Sequence, residues 1–180
     1  MNAYFTPRRA VIVAAAGLVA ALSFGGVAQA ITDTVFRYSP PKTGYYSIDH
    51  FAMNPLGSGA ADSYFREFST GLNNTTGNDC FGTGVNLPHG VTLTEVRVWY
   101  KSGAGTPRFY FVFQRMSIAQ QNYYLRSPTD SSGTLKATNL PIDPVKIDNS
   151  LNSYAFVLCI DPGDVFYSAR ISYTYNNAGD

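Results

Sequence analysis

The clearest alternation of apolar and polar positions lies at the C-terminal end of the chain. From Asp164 to Asn176, Val165, Tyr167, Ala169, Ile171, Tyr173 and Tyr175 share one parity. Phe166, Ser168, Arg170, Ser172 and Thr174 take the other, and period two with one polar face predicts a half-buried strand. The preceding "DPGD" (Asp161 to Asp164) is turn chemistry. Before it, "SYAFVLCI" is apolar on both faces and reads as a mid-sandwich strand, so these two strands are expected to form a C-terminal hairpin. "PRFYFVFQRM" sets Phe109, Phe111 and Phe113 against Tyr110 and Val112. The run Val91 to Tyr100 precedes it across "KSGAGTP" and is expected beside it. Within that run Val91 and Leu93 share one side, whereas Val96, Val98 and Tyr100 share the other; a β-bulge near Thr94-Glu95 reconciles them.

Weaker patterns fill the remainder. "TVFRYSP" and "GYYSID" read as short strands, and "DSYFREFST" as a strand or a single helical turn. "LNNTTGND" and "GSGAAD" (Gly57 to Asp62) are loops; "YYLRS" and "VKIDNS" are short edge strands around the polar "SPTDSSGTLKATN". After residue 30 there is no helix-period apolar stripe of useful length and no internal repeat. Short strands punctuated by turns predict an all-β fold, an antiparallel β-sandwich or jelly-roll-like single domain over residues 31–180.

Residues 1–30 read differently. Arg8 and Arg9 precede an apolar run, and Ala28-Gln29-Ala30 closes it, the pattern of a cleaved signal peptide. A retained N-terminal anchor is the alternative, against which the apolar run is short of the about 20 residues a span needs. The paired arginines leave Sec and twin-arginine export both open. The charge is flat: 13 basic against 12 acidic residues, two of the basic ones in the leader. That excludes a nucleic-acid footprint and a polybasic lipid-binding run. Two cysteines, Cys80 and Cys159, have one intrachain connectivity in an exported protein, with free thiols or intermolecular links as alternatives. The expectation is two facing layers of strands laced together by that bond.

Catalytic vocabulary is sparse. His50 and His89 are the only histidines, neither at a metal-pair spacing, and Asp49 beside His50 is expected on the opposite face of a strand. No G-x-S-x-G, Walker, H-E-x-x-H or C-x-x-C motif occurs. The "LPHG" stretch makes His89 a turn position before a strand. Asp62, Glu67 and Glu95 are the carboxylates open to a glycosidase arrangement. Asp161 with Asp164, or Asp143 with Asp148, are weak calcium candidates whose turn role explains them equally well. Tyrosine and phenylalanine are abundant, 13 and 12, and the pairs Tyr45-Tyr46, Trp99-Tyr100 and Tyr123-Tyr124 each direct one ring to each side of a strand. Outward rings on a rigid sheet stack sugars or anchor partners, which singles out Trp99, Tyr123 and Tyr124 as ligand-binding aromatics.

Three stretches together carry a resemblance. They are Val85-Asn86-Leu87-Pro88-His89-Gly90 after Cys80, Asp148-Asn149-Ser150 with Tyr154 and Cys159, and Ile171-Ser172-Tyr173-Thr174. In order, they resemble a broad group of secreted bacterial proteins sharing a V-x-L-P-x-G turn, an I-D-N stretch and a closing I-x-Y-T strand. The resemblance spans roughly Cys80 to Tyr175 and implies a secreted all-β domain with Cys80 paired to Cys159. It implies no activity. The expected function is therefore a non-enzymatic exported β-sandwich working through its surface, without a cofactor. A carbohydrate-binding module using Trp99 and Tyr123 or Tyr124 is the first alternative. A small hydrolase with His50 or His89 as base is the second. Partners on this reading are a glycan, an envelope protein or a second copy paired through edge strands.

Overall fold

A computed structural model describes residues 37–57, 64–67, 69–103, 105–117, 120–129 and 132–177. The expected signal peptide, 1–30, and most of "GSGAAD" lie outside them. No described helix is long and apolar enough to cross a membrane.

The described chain is all-β, in two antiparallel sheets. One follows the path β10 (Val145–Lys146), β6 (Thr92–Lys101), β12 (Val165–Asn177), β4 (Gly71–Asn74), β3 (Tyr64–Glu67). To this path β9 (Leu135–Asn139) adds beside β6, and β1 (Arg37–Asp49) beside β12, making seven strands. The other has five: β2 (Asn54–Pro55), β5 (Asp79–Gly84), β11 (Asn152–Ile160), β7 (Arg108–Arg115), β8 (Gln120–Arg126). The described part of "DSYFREFST" holds the strand Tyr64–Glu67, and the described parts of the two N-terminal short strands form one, Arg37–Asp49. The polar stretch conceals β9, whose burial alternates at an edge where packing asks little of composition.

Neither the expected C-terminal hairpin nor the expected pairing of Val91–Tyr100 with Pro107–Met116 forms. β11 pairs with β5 and β7, while β12 pairs with β6 and β4 in the other sheet. The β6–β7 connection crosses between layers in the same way. Sheets pack about 10 Å apart, a gap that a short turn spans as readily as it closes a hairpin. The two crossings are held together by aspartates. Asp164, fully buried, accepts from Gly103 N–H (Oδ1, 2.7 Å), Ser102 Oγ (Oδ1, 3.4 Å) and Asp161 N–H (Oδ2, 3.0 Å). Asp161 accepts from Asn78 Nδ2 (2.7 Å) and Thr106 N–H (3.2 Å). A buried carboxylate is tolerated only with such donors, and here they come from both loops. The loops touch so closely that a Cβ on Gly103 would lie 2.7 Å from the carbonyl carbon of Gly163.

Two register shifts bend the β6–β12 ladder. Ser172 faces Glu95 and Tyr173 faces Leu93, so Thr94 is the extra residue, where the parity change called for a bulge. The second shift was invisible in the alternation: Phe166 faces Tyr100 and Ser168 faces Trp99, leaving Tyr167 unpaired. It turns Phe166 into the core, where it is fully buried, although strict parity assigns it to the polar face. Phe81, Phe109, Phe111 and Phe156 join it at 0% exposure. Each such ring contributes about 1.5–3 kcal/mol of burial.

The V-x-L-P-x-G and I-D-N stretches dock as one corner. Gly90 N–H donates to Ile147 O (2.9 Å) and Ile147 N–H to Val91 O (2.8 Å). Asn149 Nδ2 donates to Leu87 O (2.8 Å), and Asp148 N–H to the Tyr154 hydroxyl (2.8 Å). Gly90, at φ +81°, takes the left-handed turn that a side chain would resist.

Candidate functional site

Residue size on one outer face creates a concavity. On the five-stranded sheet Phe109, Phe111, Leu158 and Phe81 point inward, so their neighbours point out. Read across β8, β7, β11 and β5, one outward row is Leu125–Tyr110–Val157–Gly82 and the next Tyr123–Val112–Ala155–Gly84. Beyond these lies Gln121–Gln114–Ser153. Aromatic rings thus stand on β7 and β8, while β11 and β5 offer valine, alanine, serine and glycine. Leu56 forms the opposite wall: a Cβ on Gly82 would be 3.0 Å from it, whereas one on Gly84 would meet nothing within 4 Å. The result is a groove of about 460 Å³ lined by Leu56, Tyr110, Val112, Tyr123, Ala155 and Val157, among others.

Tyr110 and Tyr123 meet edge to face, 5.7 Å between centroids at 72°. Tyr123 is 60% exposed. At the polar end Gln121 Nε2 donates to Gln114 Oε1 (3.4 Å), which leaves the second atom of each amide free among the described residues. Cys80 and Cys159 face each other across β5 and β11 and form the disulfide. It therefore joins neighbours within one sheet and lines the groove; it does not lace the two layers. Among the described residues, no lining residue is an Asp, Glu, Lys, Arg or His.

The three singled-out aromatics do not converge. Tyr123 belongs to the groove, but Tyr124 turns inward and packs on Phe113 (6.0 Å, 42°), as alternation on one strand requires. Trp99 lies on the outer face of the other sheet, flanked by Arg97 and Arg170 at 5.4 and 5.6 Å from its ring centroid. A single platform built from Trp99 and the tyrosine pair is ruled out because they occupy opposite faces of the sandwich. Sequence reading missed Tyr110 and the Gly82/Gly84 floor; the available signal was small residues at alternate positions of β5 against aromatics in β7.

Most of the remaining candidates have structural partners. His50 is buried with Nδ1 3.0 Å from Asp49 Oδ1. The expected opposite-face placement fails there, because a 3-10 turn (His50–Ala52) replaces the strand after Asp49. His89 Nδ1 accepts from Asn149 N–H (3.1 Å) at the corner. Asp148 accepts from Ser150, and that hydroxyl, aided by backbone donors and His89, holds its carboxyl below the ordinary range. Asp143 is exposed. Glu95 accepts from Asn139 Nδ2 (2.8 Å) and Ser172 Oγ (3.2 Å). Asp62 and the Glu67 side chain lie outside the described residues. Asp161 and Asp164 spend their oxygens on the loop crossing, and no group of three or more metal-ligating side chains occurs among the described residues.

No family model matches the chain, and no curated protein matches it. Solved structures overlap with it in part. The C-terminal CBM6 of a marine laminarinase from Zobellia galactanivorans superposes at TM-score 0.45 and 14% identity, over 71% of this chain and 98% of that one. A CBM61 in complex with β-1,4-galactotriose gives 0.36 and 15%, over 79% and 92%. Infectious bursal disease virus, Gx strain, gives 0.38 and 9%, over 77% and 34%. The overlaps are partial and the sequences share little, so the groove has to be read from its own residues.

Proposed function

We propose that this chain is an exported, non-enzymatic β-sandwich that binds a neutral glycan in the groove of its five-stranded sheet. The observation that carries the reading is an aromatic-walled furrow, uncharged among its described residues, on a sheet face that ordinarily meets water. Tyr123 offers a ring to the apolar face of a sugar, and Gln114, Gln121 and Ser153 offer donors and acceptors to its hydroxyls. A described lining without carboxylate or imidazole suits binding over bond cleavage, which needs an acid or base within reach. The leader pattern and the disulfide support a place outside the cytoplasm.

Native electrophoresis of the mature protein through gels containing soluble β-glucan, mannan or xylan tests it. Retardation is expected in at least one gel. Tyr123→Ala should weaken it about tenfold while leaving the melting temperature unchanged. Free migration in every neutral polysaccharide, or retardation indifferent to Tyr123, overturns the reading.

A further inference from the structure

The opposite face of the sandwich carries an arrangement that stability alone does not explain. Arg97 on β6 and Arg170 on β12 are direct cross-strand partners pointing the same way, and like charges so placed destabilise a sheet. Trp99, two residues along β6, takes both guanidinium groups over its ring, and Arg170 also lies 5.1 Å from the ring centre of Tyr45. Tyr45 is 60% exposed.

Compensation is incomplete. Glu95 reaches Arg170 at 3.8 Å, but no described carboxylate lies within ion-pair distance of Arg97. Lys101 extends the positive charge along the same outward column of β6. Nε of both arginines is buried without a hydrogen-bond partner, so each stem is held against the sheet and only the terminal nitrogens are left to bind. The face is thus a cationic strip with aromatic rings between its charges, about 13 Å from Arg97 to Lys101 at strand rise.

We infer that this strip is a second binding site, for the carboxylates of a uronate-containing polysaccharide. The planar guanidinium fork matches a carboxylate with two parallel hydrogen bonds, and an anion repeated along a chain suits cations repeated along a strand. Tyr45 and the indole edge supply stacking surface for the ring that bears the acid. The choice of a saccharide over another polyanion rests on the glycan reading of the groove; the charge arrangement does not.

Trp99 is the only tryptophan in the chain, which gives this face its own optical reporter. Polygalacturonate titrated into the mature protein should change Trp emission saturably, and added salt should weaken the response. Arg97→Gln should weaken it at least about tenfold, with Arg97→Lys intermediate. Because the substitution relieves a like-charge pair, the melting temperature of Arg97→Gln should hold or rise; a clear fall would make Arg97 structural and overturn the assignment. Unchanged emission with polygalacturonate overturns it as well, as does equal response to polyglutamate or phosphatidylglycerol vesicles. Tyr123→Ala should leave the Trp signal intact, and Arg97→Gln should leave retardation in neutral glycans intact. Silence of Trp99 therefore defeats the strip alone, and free migration in neutral gels defeats the groove alone.

Discussion

The two outer faces of this sandwich are built by one alternation and filled with different chemistry. Inward positions on both sheets are interchangeable in kind: Phe109, Phe111 and Phe156 on one, Val96, Val98 and Phe166 on the other. Outward positions diverge. The five-stranded sheet presents glycine, alanine and serine beside tyrosines, and the seven-stranded sheet presents arginines, a tryptophan and a glutamate in register. Packing dictates the first set and leaves the second free. A difference between two outward faces is therefore where function is to be sought in a fold of this kind.

The disulfide gives the largest expected break in that comparison, since it belongs to one face only. Its cysteines are 79 residues apart in sequence, and replacing both by alanine should lower stability by about 2–4 kcal/mol in urea unfolding. In the fraction that remains folded, loosening of the β5–β11 pair should weaken neutral-glycan retention more than the Trp99 response. An equal loss at both faces would show that the bond supports the whole sandwich without shaping the groove.

Next in size is a plug. Ala155→Trp places a large side chain over the groove floor, beside the open space at Gly84. Retardation in neutral glycans should disappear while stability changes by less than about 1 kcal/mol, because the side chain points out of the core. Persisting retardation would move the site elsewhere. On the other face Glu95→Gln removes the one described carboxylate within ion-pair distance of Arg170. The pair is partly exposed, so the stability loss should stay under about 1 kcal/mol. The polygalacturonate response should strengthen severalfold, and a weaker response would mean that Glu95 positions the arginines and does not compete with the ligand.

Much of the frame was legible from residues 80–177. The two-sided apolar run became the centre of the five-stranded sheet, and the parity change in Val91 to Tyr100 located a bulge at Thr94. Connectivity was not legible. A short turn such as "DPGD" closes a hairpin or crosses between layers with the same residues, and what decides is long-range: Asp164 reaching Gly103 across 61 positions. The groove was half legible. The Tyr123-Tyr124 pair was legible as one outward and one inward ring, but which is which, and the neighbours from β2, β5 and β11, depend on registers between distant strands that are not written locally. The Trp99-Tyr100 pair was legible as one ring on each side of a strand, yet the partner that flanks Trp99, Arg170, is set by the β6–β12 register.

The smallest effect expected serves as a control, because its residue belongs to neither face. Asp148 closes the corner between the V-x-L-P-x-G turn and β11, and Ser150 donates to its carboxylate from both Oγ and backbone N–H. Its folded pKa lies below the ordinary 3.8, so its contribution is present above that value and disappears as pH falls through the folded one. Asp148→Asn should therefore unfold at a lower temperature than the parent near neutrality, and the gap should close below about pH 4 as the parent's own carboxylate takes up a proton. Melting curves collected across that range check it, and parallel profiles would remove Asp148 from the account of acid sensitivity. Because the corner braces both sheets, the neutral-pH deficit should appear equally in Trp99 emission and in groove retention. A deficit confined to one readout would mean that the corner is coupled to that face, and that the two surfaces differ in their support as well as in their chemistry.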